Sequence, residues 1–446
     1  MDILALLPAF GGLVWTVLAF VIALSVIVAI HEYGHYIVGR WSGIHADVFS
    51  LGFGPVLWSR MDKRGTSWQI ALLPFGGYVK FMGDANAVSA PDREAVAVMS
   101  EEERRRTMLG APLWARAATV AAGPVFNFAL SILIFAAIAM SQGTVRDPLS
   151  IGEVAALPVQ HELHSGDEPV AIAGVPVPDY RSAEFDAFIK ALPQESLLDW
   201  TVRRDGAEVT VQGPYPMPPL IHQLSPQSAA VAIELKVGDV ITAVDGTPIV
   251  SFAELKAAVE GAEGRPLLLD VWRDGETMEF ALVPKRVDEP QAGGGFKTSW
   301  RIGILGGLAF EPDSELANPL DALWGGVMGT FEIMRGSVSG LWHMLTGAIS
   351  SCNMSGPIGI AEVSGQMASQ GATNFIYFIG VLSAAVGLLN LFPVPILDGG
   401  HLVFYAYEAV VGRAPNEQAL RILMGMGLAL ILSMMGFALF NDIFCP

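Results

Sequence analysis

In the stretch Ala29-Ile30-His31-Glu32-Tyr33-Gly34-His35-Tyr36-Ile37-Val38 the first histidine comes directly after an uncharged apolar run that occupies residues 13–30. His31 and His35 are four apart, so on a helix they share one face, a turn apart. That spacing lets both imidazoles reach one Zn2+ at about 2 Å. Glu32, beside the first histidine, is placed to accept a proton from a water on the metal rather than to bind the metal itself. Gly34 leaves room beside the ion. In a soluble protein this five-residue pattern arises by chance. Here it ends a run of membrane length, where ionisable groups are costly enough to mark function. Packing does not explain three of them within five positions.

The whole chain is apolar. Of its 446 residues 52% are hydrophobic, too many for an ordinary soluble protein of this size, and the length suggests roughly three units at about 150 residues each. About 20 apolar residues span a bilayer, and four stretches qualify: 13–30, 117–140, 374–392 and 422–441. The first does not read as a cleaved signal peptide, since no Lys or Arg precedes Arg40 and no small-residue cleavage site follows. The net charge of −18 argues against a nucleic-acid partner, because phosphate binding needs a basic surface. Cys352 and Cys445 are the two cysteines. They form no Cys-x-x-Cys site, and their state, bonded or free, stays open.

Positive charge in short loops sets orientation. Ten Lys/Arg lie between the first two spans: Arg40, Arg60, Lys63, Arg64, Lys80, Arg93, Arg104, Arg105, Arg106 and Arg116. That loop is therefore expected in the cytoplasm, with the N-terminus, the C-terminus and residues 142–373 outside. Residues 142–317 hold 27 Asp/Glu against 13 Lys/Arg, and long domains translocate largely regardless of such charge.

A catalytic zinc takes three protein ligands and keeps one position open. His45 falls beyond the apolar run, and His343 and Glu362 lie on the wrong side in this topology. Asp398, in Asn390-Leu391-Phe392-Pro393-Val394-Pro395-Ile396-Leu397-Asp398-Gly399, follows a span that ends on the cytoplasmic side. The first span ends there too, so His31, His35 and Asp398 are expected at one depth, with His401 as the rival third ligand. Pro393 and Pro395 cannot continue a helix, and broken backbone at membrane depth is tolerated where it lines a cavity. Pro393, Pro395, Asn390, and Asn127 in Gly123-Pro124-Val125-Phe126-Asn127, are candidate contacts to an unwound substrate. The alternative for each asparagine is an interhelical hydrogen bond, which weighs as much as substrate contact for Asn127 and less for Asn390.

The middle of the chain changes to short strands and turns. Within 218–288, Leu235-Lys236-Val237-Gly238-Asp239 precedes Ala243-Val244-Asp245-Gly246. Ser251 with Glu254 forms a capping box, and two strands flank Asp274-Gly275. This resembles a PDZ domain in the permuted strand order of bacterial proteases. Residues 146–215 repeat the pattern, with Leu163 to Asp167 matching Leu235 to Asp239, and with Pro169-Val170 where a hydrophobic pair is expected. Such a domain recognises an extended peptide or C-terminus by strand addition. Alternatively the pair only shields the membrane core. Residues 316–372 read as helices, interfacial or packed against the third span.

Together the HEYGH segment, the Gly-Pro-x-x-Asn of the second span and the N-x-x-P-x-P-x-L-D-G run resemble the site-2 proteases, and the tandem PDZ pair resembles their bacterial members. The resemblance implies a multi-pass α-helical membrane protein with four transmembrane helices. It adds a cytoplasmic, membrane-associated β-loop and two periplasmic PDZ-like domains, in a bacterial inner membrane. The expected segments are 1–40, the first helix; 41–112, the β-loop; 113–141, the second helix; 146–215 and 218–288, the PDZ-like pair; 316–372; 373–400, the third segment; and 420–442, the fourth helix. The resemblance further implies zinc held by His31, His35 and Asp398 with Glu32 activating water. The implied substrate is a single-pass membrane protein, such as an anti-sigma factor already cut outside the membrane. A non-catalytic PDZ adaptor would not need a buried HExxH, and a metal transporter would want ionisable groups along several spans.

Overall fold

The computed structural model describes residues 7–84, 96, 98–291 and 295–445. Arg93, residues 1–6 of the first expected segment, and residues 85–95 and 97 of the second lie outside the described residues. The chain divides into two compact units, residues 1–139 with 319–446, and residues 140–318.

Among the described residues, four helices of the first unit are long and apolar enough to cross a membrane. Helix α1 runs over Leu7–Trp41, well past the apolar run, because nothing in HEYGHYIVGRW breaks it before Gly43, where φ is +85°. Helix α2 is Leu113–Gln142. Helix α3, Pro319–Leu345, lies against α2. Its Gly326 meets the backbone of Ile132, and its Thr330 hydroxyl sits 3.1 Å from that of Ser131. Helix α4, Pro357–Ser369, packs on α1, with Gly365 against Thr16. Helix α5, Ala372–Asn390, is followed by α6, Asp398–Val411, and α7, Glu417–Phe444. Ala23 and Ile27 of α1 pack with Ile379 of α5 to form the core between these helices.

The end of α7 locks the segment ahead of α4. Cys352 and Cys445 are joined by a disulfide. The Asp442 carboxylate accepts from the backbone N–H of Gly356 at 2.7 Å, Ile358 at 3.0 Å and Gly359 at 3.1 Å. Helix α4 opens on Gly356, which has no side chain to cap it. Asp442 supplies the cap from another helix and satisfies amides that a helix N-terminus otherwise leaves unpaired.

Between α1 and α2 the chain folds into strands β1, Ala46–Met61, and β2, Ser67–Phe81. Both bend sharply. Residues 48–51 lie between residues 67–70 on one side and 77–80 on the other, while 56–61 flank 67–71. Gly52 and Gly76, at φ of +88° and +138°, make these bends, which side chains at those angles would resist. Phe49, Val79 and Phe81 bury against Tyr36, Ile44 and Ala115. The far part exposes Val56, Leu57, Trp58, Leu72 and Leu73, an apolar surface that a lipid or peptide neighbour would cover.

The second unit holds two four-stranded sheets with the same connectivity. The first orders its strands Val175–Pro176, Glu168–Ile172, Leu197–Arg204, Ala207–Pro214. The second orders them Thr247–Pro248, Val240–Val244, Leu267–Arg273, Glu276–Leu282. The repeat extends to single side chains. Asp167 and Asp239, each about fully buried, take two bonds from Arg204 at 2.7 Å and from Arg273 at 2.6 Å. Each also accepts from the backbone, of His164 and Lys236 respectively. Burial alone would raise the Asp167 carboxyl, but Arg204 and the His164 amide outweigh it and hold it below the ordinary range. Both hairpins turn on Asp-Gly with positive φ throughout, at 205–206 and 274–275, the geometry that matches strand twist. Pro169 does not spoil the first copy. It sits beside a register shift between Pro169 and Ala171, and the second copy has the same shift between Ile241 and Ala243. A bulge is where a strand accommodates proline.

The two copies are not consecutive beads. After the second sheet, Ile304–Leu305 pairs with Gln223–Leu224, Phe310–Pro312 pairs with Ile151–Val154, and Ser314–Glu315 pairs with Thr144–Val145. The core of the first copy therefore contains Leu308 and Phe310, far beyond residue 215. Phe310→Ala should cost about 3–5 kcal/mol in the first copy. Its hydrogen exchange in Leu197–Arg204 should quicken while Leu267–Arg273 changes little. Equal loosening of both sheets, or of neither, would contradict this nesting.

Candidate metal centre

Helix α1 turns His31 and His35 to the same side, and α6 brings Asp398 to meet them. The His31 and His35 Nε2 atoms lie 3.1 Å apart. Asp398 Oδ2 is 3.2 Å from the first and 3.5 Å from the second. A tetrahedral zinc with bonds of about 2.05 Å has ligand–ligand edges of about 3.3 Å, so the three separations fit one such ion. Asp398 Oδ2 is buried without a hydrogen-bond partner, which leaves it available to a cation. Among the described residues this is the one group of His, Cys, Asp and Glu that could hold a metal. His401 is not in it; its ring stands edge-on to Phe404.

The helix break delivers Asp398. Helix α5 stops at Asn390 and α6 starts at Asp398, with Pro393 and Pro395 in the turn between. The turn folds so closely over the start of α6 that a Cβ on Gly399 would strike the backbone of Leu391 and Phe392, and one on Gly400 that of Val394. Asp398 thus occupies the first turn of a helix, where a negative charge is favoured by the helix dipole. Asn390 donates to Val386 O at 3.1 Å, one turn back.

Helix α2 forms the wall behind the histidines. His35 Nδ1 donates to the Thr119 carbonyl at 2.8 Å. A carbonyl only accepts, so Nδ1 carries the proton and Nε2 presents its lone pair to the centre. One turn on, a Cβ at Gly123 would collide with the rings of His35 and His31. A further turn on stands Asn127, completely buried, with its amide 3.2 Å from His31 Nδ1. Thr119, Gly123 and Asn127 share one face of α2 at spacings of four. Asn127 was legible in the sequence as a candidate, but Thr119 and Gly123 were not. Their spacing was visible, but not that this face meets the histidines.

Glu32 is half-buried and accepts from the Val79 backbone N–H of β2. Beside it, a Cβ at Gly77 would press on Glu32 and Val28. The 77–81 end of β2 therefore lies directly on the HEYGH turn of α1.

Two histidines of an HExxH segment and an aspartate that could together hold a metal, among helices long and apolar enough to cross a membrane, fit the class of membrane zinc metallopeptidases. Residues 19–434 match the model of Peptidase family M50, and the chain belongs to that family. It is 34% identical over 442 residues, 98% of each chain, to an Agrobacterium fabrum protein named "Putative zinc metalloprotease Atu1380". It is 31% identical over 461 residues, 97% of this chain and 99% of the relative, to the regulator of sigma-E protease RseP of Salmonella typhimurium. The chain is a zinc metalloprotease.

Gly123→Ala tests the cradle. Inside a helix this change ordinarily favours the helix by about 1 kcal/mol. Here the protein should keep its helical circular dichroism yet lose stoichiometric zinc and activity. Full zinc occupancy in the variant would show that the histidines do not need this close approach.

Proposed function

We propose that this protease is an intramembrane endopeptidase, with zinc held by His31, His35 and Asp398 and the proton moved by Glu32. The convergence of three donor atoms at separations that suit the corners of one tetrahedron, beside Glu32 and among helices of membrane-spanning length, carries the reading. When bound, zinc supplies Lewis acidity toward the scissile carbonyl and lowers the pKa of its water toward about 7. Glu32, held by the Val79 amide, takes the proton of the attacking water and passes it to the leaving amine. Asp398 and the two histidines stay fixed through the cycle.

A peptide in a helix has its carbonyls engaged, so the substrate must unwind. Backbone for an extended chain is offered by the β2 edge over 77–81 and by the break at 391–397. Asn390, Pro393 and Pro395 frame that break as substrate contacts. The substrate class is a single-pass membrane protein. The name of the Salmonella relative supports a regulator of a sigma factor, such as an anti-sigma factor already shortened outside the membrane. The two repeated sheets are PDZ-like modules that receive a peptide end or exclude bulkier uncut substrates.

The orientation follows the basic loop. The HEYGH end of α1 faces the cytoplasm of a bacterial inner membrane, and both termini with the repeat unit face the periplasm. Cys352 and Cys445 fall on the outer side in this orientation. Their disulfide supports it, because disulfides persist in oxidising compartments.

Glu32→Gln should retain one zinc per chain and abolish cleavage of a membrane-embedded reporter. Cleavage at the normal rate would overturn the role given to Glu32. A flexible linker in place of 144–315, cut at the strands that close the unit, should leave hydrolysis intact and admit uncut substrates. A variant that still rejects uncut substrate would remove the filter role.

A further inference from the structure

We infer that Asn127 is the hydrogen-bond acceptor that fixes the zinc-binding tautomer of His31, with its side-chain oxygen turned to His31 Nδ1. The inference rests on His31 being a zinc ligand. His31 presents Nε2 to the centre, 3.2 Å from Asp398 and 3.1 Å from the other imidazole. A neutral imidazole that offers a lone pair at Nε2 carries its proton at Nδ1 and needs an acceptor there. For His35 that acceptor is the Thr119 carbonyl. For His31 the neighbouring group is the Asn127 amide, and its nitrogen stands 3.2 Å from Nδ1. Two donors would then face each other.

The amide oxygen, meanwhile, is buried with no partner. Hydrogen bonding elsewhere therefore does not fix which end of the amide faces the histidine. The two ends of an asparagine amide have nearly the same shape, so the hydrogen-bond network decides which of them faces the histidine. Turning the amide over places Oδ1 against Nδ1–H and resolves the clash. The backbone is held whichever way the amide points. The Asn127 carbonyl accepts from Ser383 of α5 at 2.9 Å, and Gly387 packs against Asn127 Cβ. Asn127 is thus a positioning residue, acting on the metal through His31. Its complete burial behind the histidine suits that role better than contact with substrate.

The test measures zinc affinity by competition with a chelator in the full-length protein in detergent, for wild type, His31→Ala, Asn127→Leu and Asn127→Asp. Loss of an outer-shell partner typically weakens a metal site 10–100-fold. Asn127→Leu, which keeps the shape, should show that loss. Asn127→Asp, which keeps only an acceptor, should bind zinc as tightly as wild type or more so. Equal weakening in both variants would overturn the acceptor role and leave a purely structural asparagine. Wild-type affinity in Asn127→Leu would also overturn it. If His31→Ala binds zinc as wild type does, the ligand assignment fails instead, which separates the two outcomes. A measurement that needs no variant is 15N NMR of the zinc-loaded wild type labelled at histidine. It should show a protonated, hydrogen-bonded Nδ1 at His31, and an unprotonated Nδ1 there would refute the inference.

Discussion

Two imidazole nitrogens and a carboxylate oxygen stand within 3.5 Å of one another where α1, α2 and α6 meet. Lone pairs that close repel one another in apolar surroundings, a repulsion that a bound cation or a shared proton relieves. Much of the surrounding architecture serves this convergence. Gly34 lets α1 approach the Ala122 carbonyl of α2, Gly123 lets α2 approach the rings, and Gly399 and Gly400 let the broken third span fold over the head of α6. Each is a place where a single methyl group would push apart the elements that bring the three side chains together. Helix α5 gives up its continuity at 391–397 so that a carboxylate can enter from the start of a new helix.

Positioning extends outward by backbone as much as by side chain. The Thr119 carbonyl sets the tautomer of His35, and the Val79 amide holds Glu32. These groups cannot change chemistry by mutation, only by a shift of the element that carries them. The β1–β2 sheet consequently packs directly on the HEYGH segment, although it contributes none of the three converging side chains. Elsewhere in the same unit, Asp442 and the Cys352–Cys445 bond fasten the start of α4 to the end of α7, and α4 in turn packs on α1.

Much of this was legible in the sequence because the signals were local. HEYGH identified itself by spacing and by the apolar run before it. Asp398 followed from counting spans and charges, and the prolines at 393 and 395 announced the break. The repeat of 163–167 in 235–239 pointed to two similar sheets. What stayed hidden depends on long-range packing. No pattern says that Thr119, Gly123 and Asn127 face the histidines, because that requires the rotation of α2 about its axis. The nesting of the repeat unit was invisible for the same reason. Phe310 looks like any apolar residue until its strand is seen against Ile151–Val154, and the pairing of Cys352 with Cys445 spans 93 residues.

The central claim is that the metal sits on His31, His35 and Asp398. The most direct measurement is X-ray absorption at the zinc edge of the purified, zinc-loaded protein. The account predicts nitrogen and oxygen ligands at about 2.0–2.2 Å, with the outer-shell scattering of two imidazoles and no sulfur at about 2.3 Å. Replacing His35 with alanine should remove one of those imidazoles. A spectrum with sulfur, or with no imidazole signature, would contradict the site described here.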